Sequence, residues 1–284
     1  GAQYVVMTSK HHDGVALFDT KYSDLSVVKK TPAGRDLVKE YTEAVREAGM
    51  KVGIYFSLID WSDPRYRSVY PEGSDPKDHL QDVFATPAGG PEDPEKWQEF
   101  LEFNNNQMRE LMTNYGTVDL LWFDGDWERS ANQWKAKEFK AYLESLNPNV
   151  IVNSRLQGYG DYETPEQGSP LYGPKGVWEF CTTINDSWGY RPSDNHYKTS
   201  KQIIRMFCDC LTLGGKMLLD VGPKEDGTLD ERQVKVLEDL GTFIHDNEEA
   251  IYETEKGLSY RQFLGGSTLS RDKKTIYLFV YDKP

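Results

Sequence analysis

The sequence predicts an α/β fold: a (β/α)8-like barrel followed by the start of an antiparallel β-sandwich. Three observations carry this. Short apolar runs rich in strand formers alternate with helix-patterned stretches from Tyr4 to Asn247, as βαβ units and a parallel sheet require. One run, residues 118–123, stops abruptly at Asp124-Gly125-Asp126, and a carboxylate at the C-terminal tip of a buried parallel strand is where such a barrel keeps its chemistry. After Tyr252 the alternation ends, and residues 257–264 and 275–281 read as strands with no helix between them. The expected division is therefore 1–252 for the barrel and 253–284 for the beginning of the sandwich.

The elements follow in order. Residues 4–9 are a β-branched strand closed by Lys10-His11-His12-Asp13-Gly14. Leu37, Tyr41, Ala44, Val45 and Ala48 carry helical spacing over 34–48, and Gly49 is a natural stop. Residues 51–57 form the next strand. Residues 59–93 are polar and rich in Pro and Gly, with Trp61 and Tyr66 near the start; loops of that length are usually functional. Asp93 caps a helix over 93–114, with Pro94 in its first turn. In the 118–124 strand, alternation puts Leu120, Trp122 and Asp124 on one face and Leu121 and Phe123 on the other. A helix over 131–146 stops at Asn147-Pro148, and the strand 149–154 ends at Arg155. Residues 156–176 read as irregular and 177–182 as a strand end. A helix over 198–213 stops at Gly214-Gly215, a strand over 216–221 runs into Gly222-Pro223, and Asp230 caps a helix over 230–247.

Composition narrows the function. The net charge of −13 repels phosphate backbones and argues against nucleic acid as a partner. No apolar run approaches the ~20 residues of a membrane span. Cys181, Cys208 and Cys210 are odd in number and lack paired zinc spacing, so buried thiols are expected rather than a disulfide framework or a metal. Aromatics make up 13%, which suits either stacking on sugars or an aromatic core. The first residue is Gly, and the next few already read as a strand, so the chain is expected to begin inside a domain.

In a parallel barrel the strand ends share one face. They gather His11, His12, Tyr55, Asp124 and Arg155, with Glu166 and Glu179 in later segments and Trp61, Trp122, Trp178 and Trp188 close by in sequence. Three chemistries compete. Metal hydrolysis would use His11, His12 and Asp124, but adjacent histidines diverge on an extended chain. Nucleophilic serine or cysteine chemistry lacks an elbow motif, and no Gly-x-Ser-x-Gly occurs. Glycoside hydrolysis needs paired carboxylates and uncharged partners for hydroxyls, and in the retaining form one carboxylate attacks while the other donates a proton. Each residue also has a plainer reading. Asp124 alone reads as a helix cap, the histidines as a solvated loop pair, Tyr55 and Trp122 as core, Arg155 as an ion-pair partner, and Glu166 as a solvated side chain. Asp119, Asp126 and Glu128 read as structural or surface residues.

The stretches GAQYVVMTSKHHDGVALFDTKYSD, GIYFSLIDW, LLWFDGDW, NSRLQGYGDYETPEQ, WEFCTTINDSWGY and GGKMLLDVGPKEDGT resemble, in this order, the α-L-fucosidases of glycoside hydrolase family 29. The resemblance runs from the first residue to about Tyr252. It implies a retaining exo-acting enzyme on terminal α-L-fucose of glycans, without a cofactor or a metal. It implies Asp124 as nucleophile, and His11, His12, Tyr55, Trp61, Trp122, Arg155 and Trp188 as substrate-binding residues. The acid/base is Glu166 or Glu179, with Glu166 favoured. That acid must be protonated at working pH, which an apolar surround and the charge of Asp124 would favour. A periplasmic or secreted location is implied rather than a cytoplasmic one. The family's early FGxFxHWG strand has no counterpart here, so the barrel is expected to be incomplete at its N-terminus and the sandwich cut. The alternative is a sugar-binding or structural fragment without turnover.

Overall fold

The computed structural model describes residues 1–73 and 92–281. Residues 74–91, which hold most of the long polar loop and His79, lie outside the described residues. The chain divides into two compact units, Ala2–Asp161 and Tyr162–Pro284, the second joined by Gly1.

The first unit is built on a parallel sheet in the order β1-β2-β3-β4: β1 Tyr4–Lys10, β2 Lys51–Ser57, β3 Leu120–Asp124 and β4 Ile151–Val152. Parallel strands need crossover connections, and here helices Leu37–Glu47, Pro94–Asn114 and Ala136–Leu146 supply them. The helix ends follow the sequence signals. Asp36 and Asp93 accept from the backbone N–H of Lys39 and Lys96. Gly49, at φ 73°, closes a Schellman motif in which its N–H reaches the Arg46 carbonyl and that of Met50 reaches Val45. Val52, Ile54, Phe56, Leu121 and Phe123 enter one aromatic-rich core with Phe100, Met108, Leu111 and Phe139. Alternation leaves Tyr55, Ser57, Trp122 and Asp124 on the opposite face.

Two elements of this unit differ from expectation. The helix expected over 131–146 breaks at Lys135, which is left-handed at φ 50° and separates Ala131–Trp134 from Ala136–Leu146. The break lets Trp134 donate from Nε1 to the Asp126 carbonyl at 2.8 Å. The strand expected over 149–154 is only Ile151–Val152. Beyond it the Asn153 side chain replaces backbone pairing, accepting from Phe123 N–H and donating to the Phe123 carbonyl, both at 2.9 Å.

The second unit holds a parallel pair, β5 Glu179–Thr183 with β6 Lys216–Asp220, in register from Glu179↔Lys216 to Thr183↔Asp220. Helices Ser200–Thr212 and Glu231–Asp246 follow their expected positions, the first opening on a Thr199/Gln202 capping box. Within the stretch read as irregular, residues 163–167 run alongside β5 through bridges Glu163↔Trp178 and Glu166↔Cys181. An antiparallel sheet, β7 Thr254–Lys256, β8 Gly266–Ser270 and β9 Ile276–Phe279, completes this unit. The strand expected at 257–264 is displaced. Gly257 lies so close to Ser267 that a Cβ would sit 2.0 Å from its carbonyl oxygen, and Ser259–Gln262 folds into a turn held by Gln262 Oε1. All three cysteines are free and buried, as expected, and burial pushes Cys208 and Cys210 up to about 12. Among the described residues no helix is long and apolar enough to cross a membrane.

Candidate active site

Asp124 ends β3, opposite Ser57 in the register, and is 9% exposed. Gly125 follows in the left-handed region at φ 85°, where a Cβ would lie 2.6 Å from Ile59. This turn directs the chain away and leaves the carboxylate at the strand tip. Tyr55 Oη donates to its Oδ2 at 2.7 Å and Arg155 Nη1 to its Oδ1 at 2.8 Å. Both carboxylate oxygens are therefore held by donors.

These partners are themselves stacked. The Arg155 guanidinium lies 4.3 Å from the Trp122 ring centroid. Trp122 stacks on Tyr55 at 5.5 Å, and Tyr55 on His11 at 5.7 Å. A second clip holds Arg155's loop, because Gln157 N–H donates to Asp126 Oδ2 at 2.6 Å. Burial raises the Asp126 pKa. Asp126, Asp119 (which accepts from Val52 N–H) and Glu128 (bonded to Tyr66) have the structural roles expected of them.

The two histidines do not diverge, contrary to the sequence expectation. β1 ends at Lys10 with a register shift between Thr8 and Lys10, so His11 and His12 lie on a turn with ring centroids 4.2 Å apart. Gly14 closes the turn at φ 82°, where a Cβ would meet Asp60 and Ser62 at 2.2–2.3 Å. His12 Nε2 stands 3.7 Å from Asp124 Oδ2, and Trp61 N–H donates to the His12 carbonyl at 2.8 Å. The Trp61 ring meets His12 edge-on at 5.1 Å. Burial, then the neighbouring His11, lowers the His12 pKa to about 4 against the opposing pull of Asp124, so the imidazole is neutral near pH 7.

Sequence reasoning missed the support beneath this turn. Lys10 is fully buried and pairs with Asp60 at 3.4 Å and Asn104 at 3.3 Å. Burial lowers its pKa, with Asp60 opposing. Asp60 also accepts from Ser62 N–H and Asp63 N–H, tying β1 to the segment that carries Trp61. Removing one partner of a buried pair strands the other's charge, at a cost of about 3–5 kcal/mol. Asp60→Ala is therefore expected to lose stability on that scale in a urea melt, and a Lys10→Met/Asp60→Leu double variant to lose less. Trp127 was also missed. It is 60% exposed and presents its ring edge-on to His12 at 5.8 Å; its signal was a tryptophan on the turn directly after a strand-end Asp.

Donor atoms of His11, His12 and Asp124 lie within 4.8 Å of one another and form a candidate metal set. Both Asp124 oxygens already accept hydrogen bonds, one from a guanidinium that supplies the positive charge a cation would bring. The donor set fits a metal poorly.

The structure thus brings together His11, His12, Tyr55, Trp61, Trp122, Asp124 and Arg155. Glu166, Glu179 and Trp188 belong to the second unit. Glu179 is 3% exposed and opens β5 at its N-terminal end. Glu166 is exposed, bridged to Cys181, and precedes Gln167, whose amide reaches Thr183 at the strand's C-terminal end. Trp188 is 43% exposed. Asp220, unremarked in the sequence, ends β6, and burial pushes its carboxyl up to about 7.

Comparison with known proteins gives one answer. The family model Alpha-L-fucosidase matches residues 1–249. An alpha-L-fucosidase of Dictyostelium discoideum is 30% identical over 296 residues, covering 100% of this chain and 60% of that protein. Alpha-L-fucosidase isoenzyme 1 from Paenibacillus thiaminolyticus superposes with a TM-score of 0.81 at 35% identity, covering 94% of this chain and 66% of its own. A Bacteroides thetaiotaomicron enzyme of family GH29, solved as a trapped covalent intermediate with 2-fluoro-fucosyl fluoride, gives 0.81 at 29%, with 99% and 66% covered. The chain spans about 60% of the length of the first of these relatives. By sequence and fold together, it belongs to the alpha-L-fucosidase family, glycoside hydrolase family 29.

Proposed function

We propose that this chain carries the active site of a retaining exo-α-L-fucosidase acting on fucosylated glycans, with Asp124 as nucleophile. The observation that carries this is the Asp124 carboxylate at the tip of β3, gripped by Tyr55 and Arg155 beside a neutral His12. In the first step an Asp124 oxygen bonds to the anomeric carbon as the bond to the leaving oxygen breaks, and the acid gives that oxygen its proton. In the second step water attacks the same carbon, the acid residue takes the water's proton, and Asp124 leaves. His11, His12, Tyr55, Arg155 and the rings of Trp61, Trp122, Trp127 and Trp188 are the proposed sugar contacts. Tyr55 and Arg155 each hold one oxygen of the carboxylate, which fixes its orientation for attack.

Glu166 is the preferred acid/base and Glu179 the runner-up. The preference rests on placement: barrel chemistry gathers at C-terminal strand ends, and Glu166 pairs with Cys181 at the middle of β5 while Glu179 opens that strand. Glu166→Ala is expected to keep cleavage of a dinitrophenyl fucoside, whose leaving group needs no proton, and to lose ~10²-fold or more on an unactivated fucoside. The same pattern in Glu179→Ala instead would move the assignment.

The parallel strands of both units are proposed to belong to one (β/α)8-type barrel over 1–252, with 253–284 beginning a β-sandwich. A periplasmic or secreted location is proposed with it. The test of the function is the anomer first released from an aryl α-L-fucoside, followed by proton NMR. The α-anomer is expected; a β-anomer, or no release by the full-length protein, would overturn the reading.

A further inference from the structure

Ser57 is wholly buried at the C-terminal end of β2, the register partner of Asp124. Its hydroxyl has one proton and two neighbours in hydrogen-bond range. The Ile59 carbonyl lies at 2.7 Å and His12 Nδ1 at 2.6 Å. A carbonyl has no proton to give, so the Ser57 O–H must point at Ile59. The Ser57 oxygen is then left to accept, and the donor to it is His12 Nδ1–H. A neutral imidazole has only one N–H, so Nε2 carries a bare lone pair.

That lone pair stands 3.7 Å from Asp124 Oδ2. Two acceptors converge on one space and have no proton between them. A donor brought by the ligand satisfies them in place of water, and a sugar hydroxyl or a protonated ring amine has that chemistry. In the opposite tautomer, Nε2–H would point at Asp124 Oδ2, which already accepts from Tyr55, and the histidine would offer the sugar no lone pair.

We propose that Ser57 is a positioning residue: it locks His12 in the Nδ1–H tautomer, so that Nε2 is left to accept a hydroxyl of the sugar. This rests on the functional reading above and assigns a role to a side chain that touches no substrate. Outer partners of this kind are worth about 10–100-fold in activity.

The test uses protein labelled with ¹⁵N in its histidines. In the ligand-free wild type at pH 7, the His12 correlations should show a protonated Nδ1 and a bare Nε2. In Ser57→Ala the two tautomers should mix, and kcat/KM should fall about 10–100-fold with the melting curve still cooperative. Ser57→Thr, which keeps the hydroxyl, should restore both readouts. A wild-type Nε2–H tautomer would overturn the assignment even if the alanine variant failed to fold. So would a Ser57→Ala protein with unchanged tautomer and turnover. The assigned tautomer in a full-length protein that hydrolyses no fucoside would sink the enzymatic reading and still support the lock.

Discussion

Asp124→Gly is expected to lower turnover of an aryl α-L-fucoside by at least about 10⁴-fold, the scale on which removing a covalent nucleophile acts. The loss should be chemical rather than structural. The carboxylate contributes hydrogen bonds to Tyr55 and Arg155, while the backbone turn is set by Gly125 and by Leu58 N–H bonding the Asp124 carbonyl at 2.8 Å. Glycine leaves a space beneath the anomeric carbon that a small anion can enter. Azide should therefore restore cleavage of an activated fucoside and yield the β-fucosyl azide. The new N–C bond forms as the bond to the aglycone breaks, with inversion at that one centre. Activity within tenfold of wild type would remove Asp124 from the mechanism. A folded, inactive variant that azide does not rescue would leave it a binding residue only.

Asp220→Asn is expected to stabilise the protein at pH 8 by about 4 kcal/mol at most and to change little at pH 4. Burial alone pushes this carboxyl up to about 7, against about 3.9 in an unfolded chain. Between those values the folded state holds a proton that the unfolded state has released. The protein therefore binds more protons when folded, and stability falls as pH rises from about 4 to 7. Above 7 the folded carboxylate is charged, and the full cost of its desolvation is present. Asparagine keeps the shape and removes the charge. Thermal melts of the two proteins should coincide at pH 4 and separate with the variant higher at pH 8. A variant less stable than wild type at pH 8 would show that the Asp220 charge has a partner stronger than its desolvation.

The fold was legible where the sequence pattern is periodic and its punctuation strong. The helices after Asp93 and Asp230 begin where a side-chain cap meets the backbone, and the face assignment of residues 120–124 followed from alternation alone. The misses share a cause: one side chain or one backbone angle overrode the pattern. Lys135 takes a left-handed angle and divides a helix. Asn153 substitutes its amide for a strand's peptide groups and shortens β4. Residues 163–167 pair with β5 in a stretch read as irregular.

The strand-end residues of the site were legible for the same reason, since a parallel sheet collects its C-terminal tips. Their supports were not. His12 meets Ser57 45 positions away, Lys10 meets Asp60 50 away, and Lys10 reaches Asn104 94 away. Nothing local marks these as pairs. The divergence expected of His11 and His12 failed because it assumed extended backbone, whereas the strand stops at Lys10 and the chain turns.

The measurement that bears most directly on the nucleophile is covalent trapping. The full-length protein, incubated with 2-fluoro-fucosyl fluoride and digested, should yield a peptide containing Leu120–Asp124 that is heavier by one fluorofucosyl group. Fragmentation should place that mass on Asp124. The same group found on any other side chain would contradict the account.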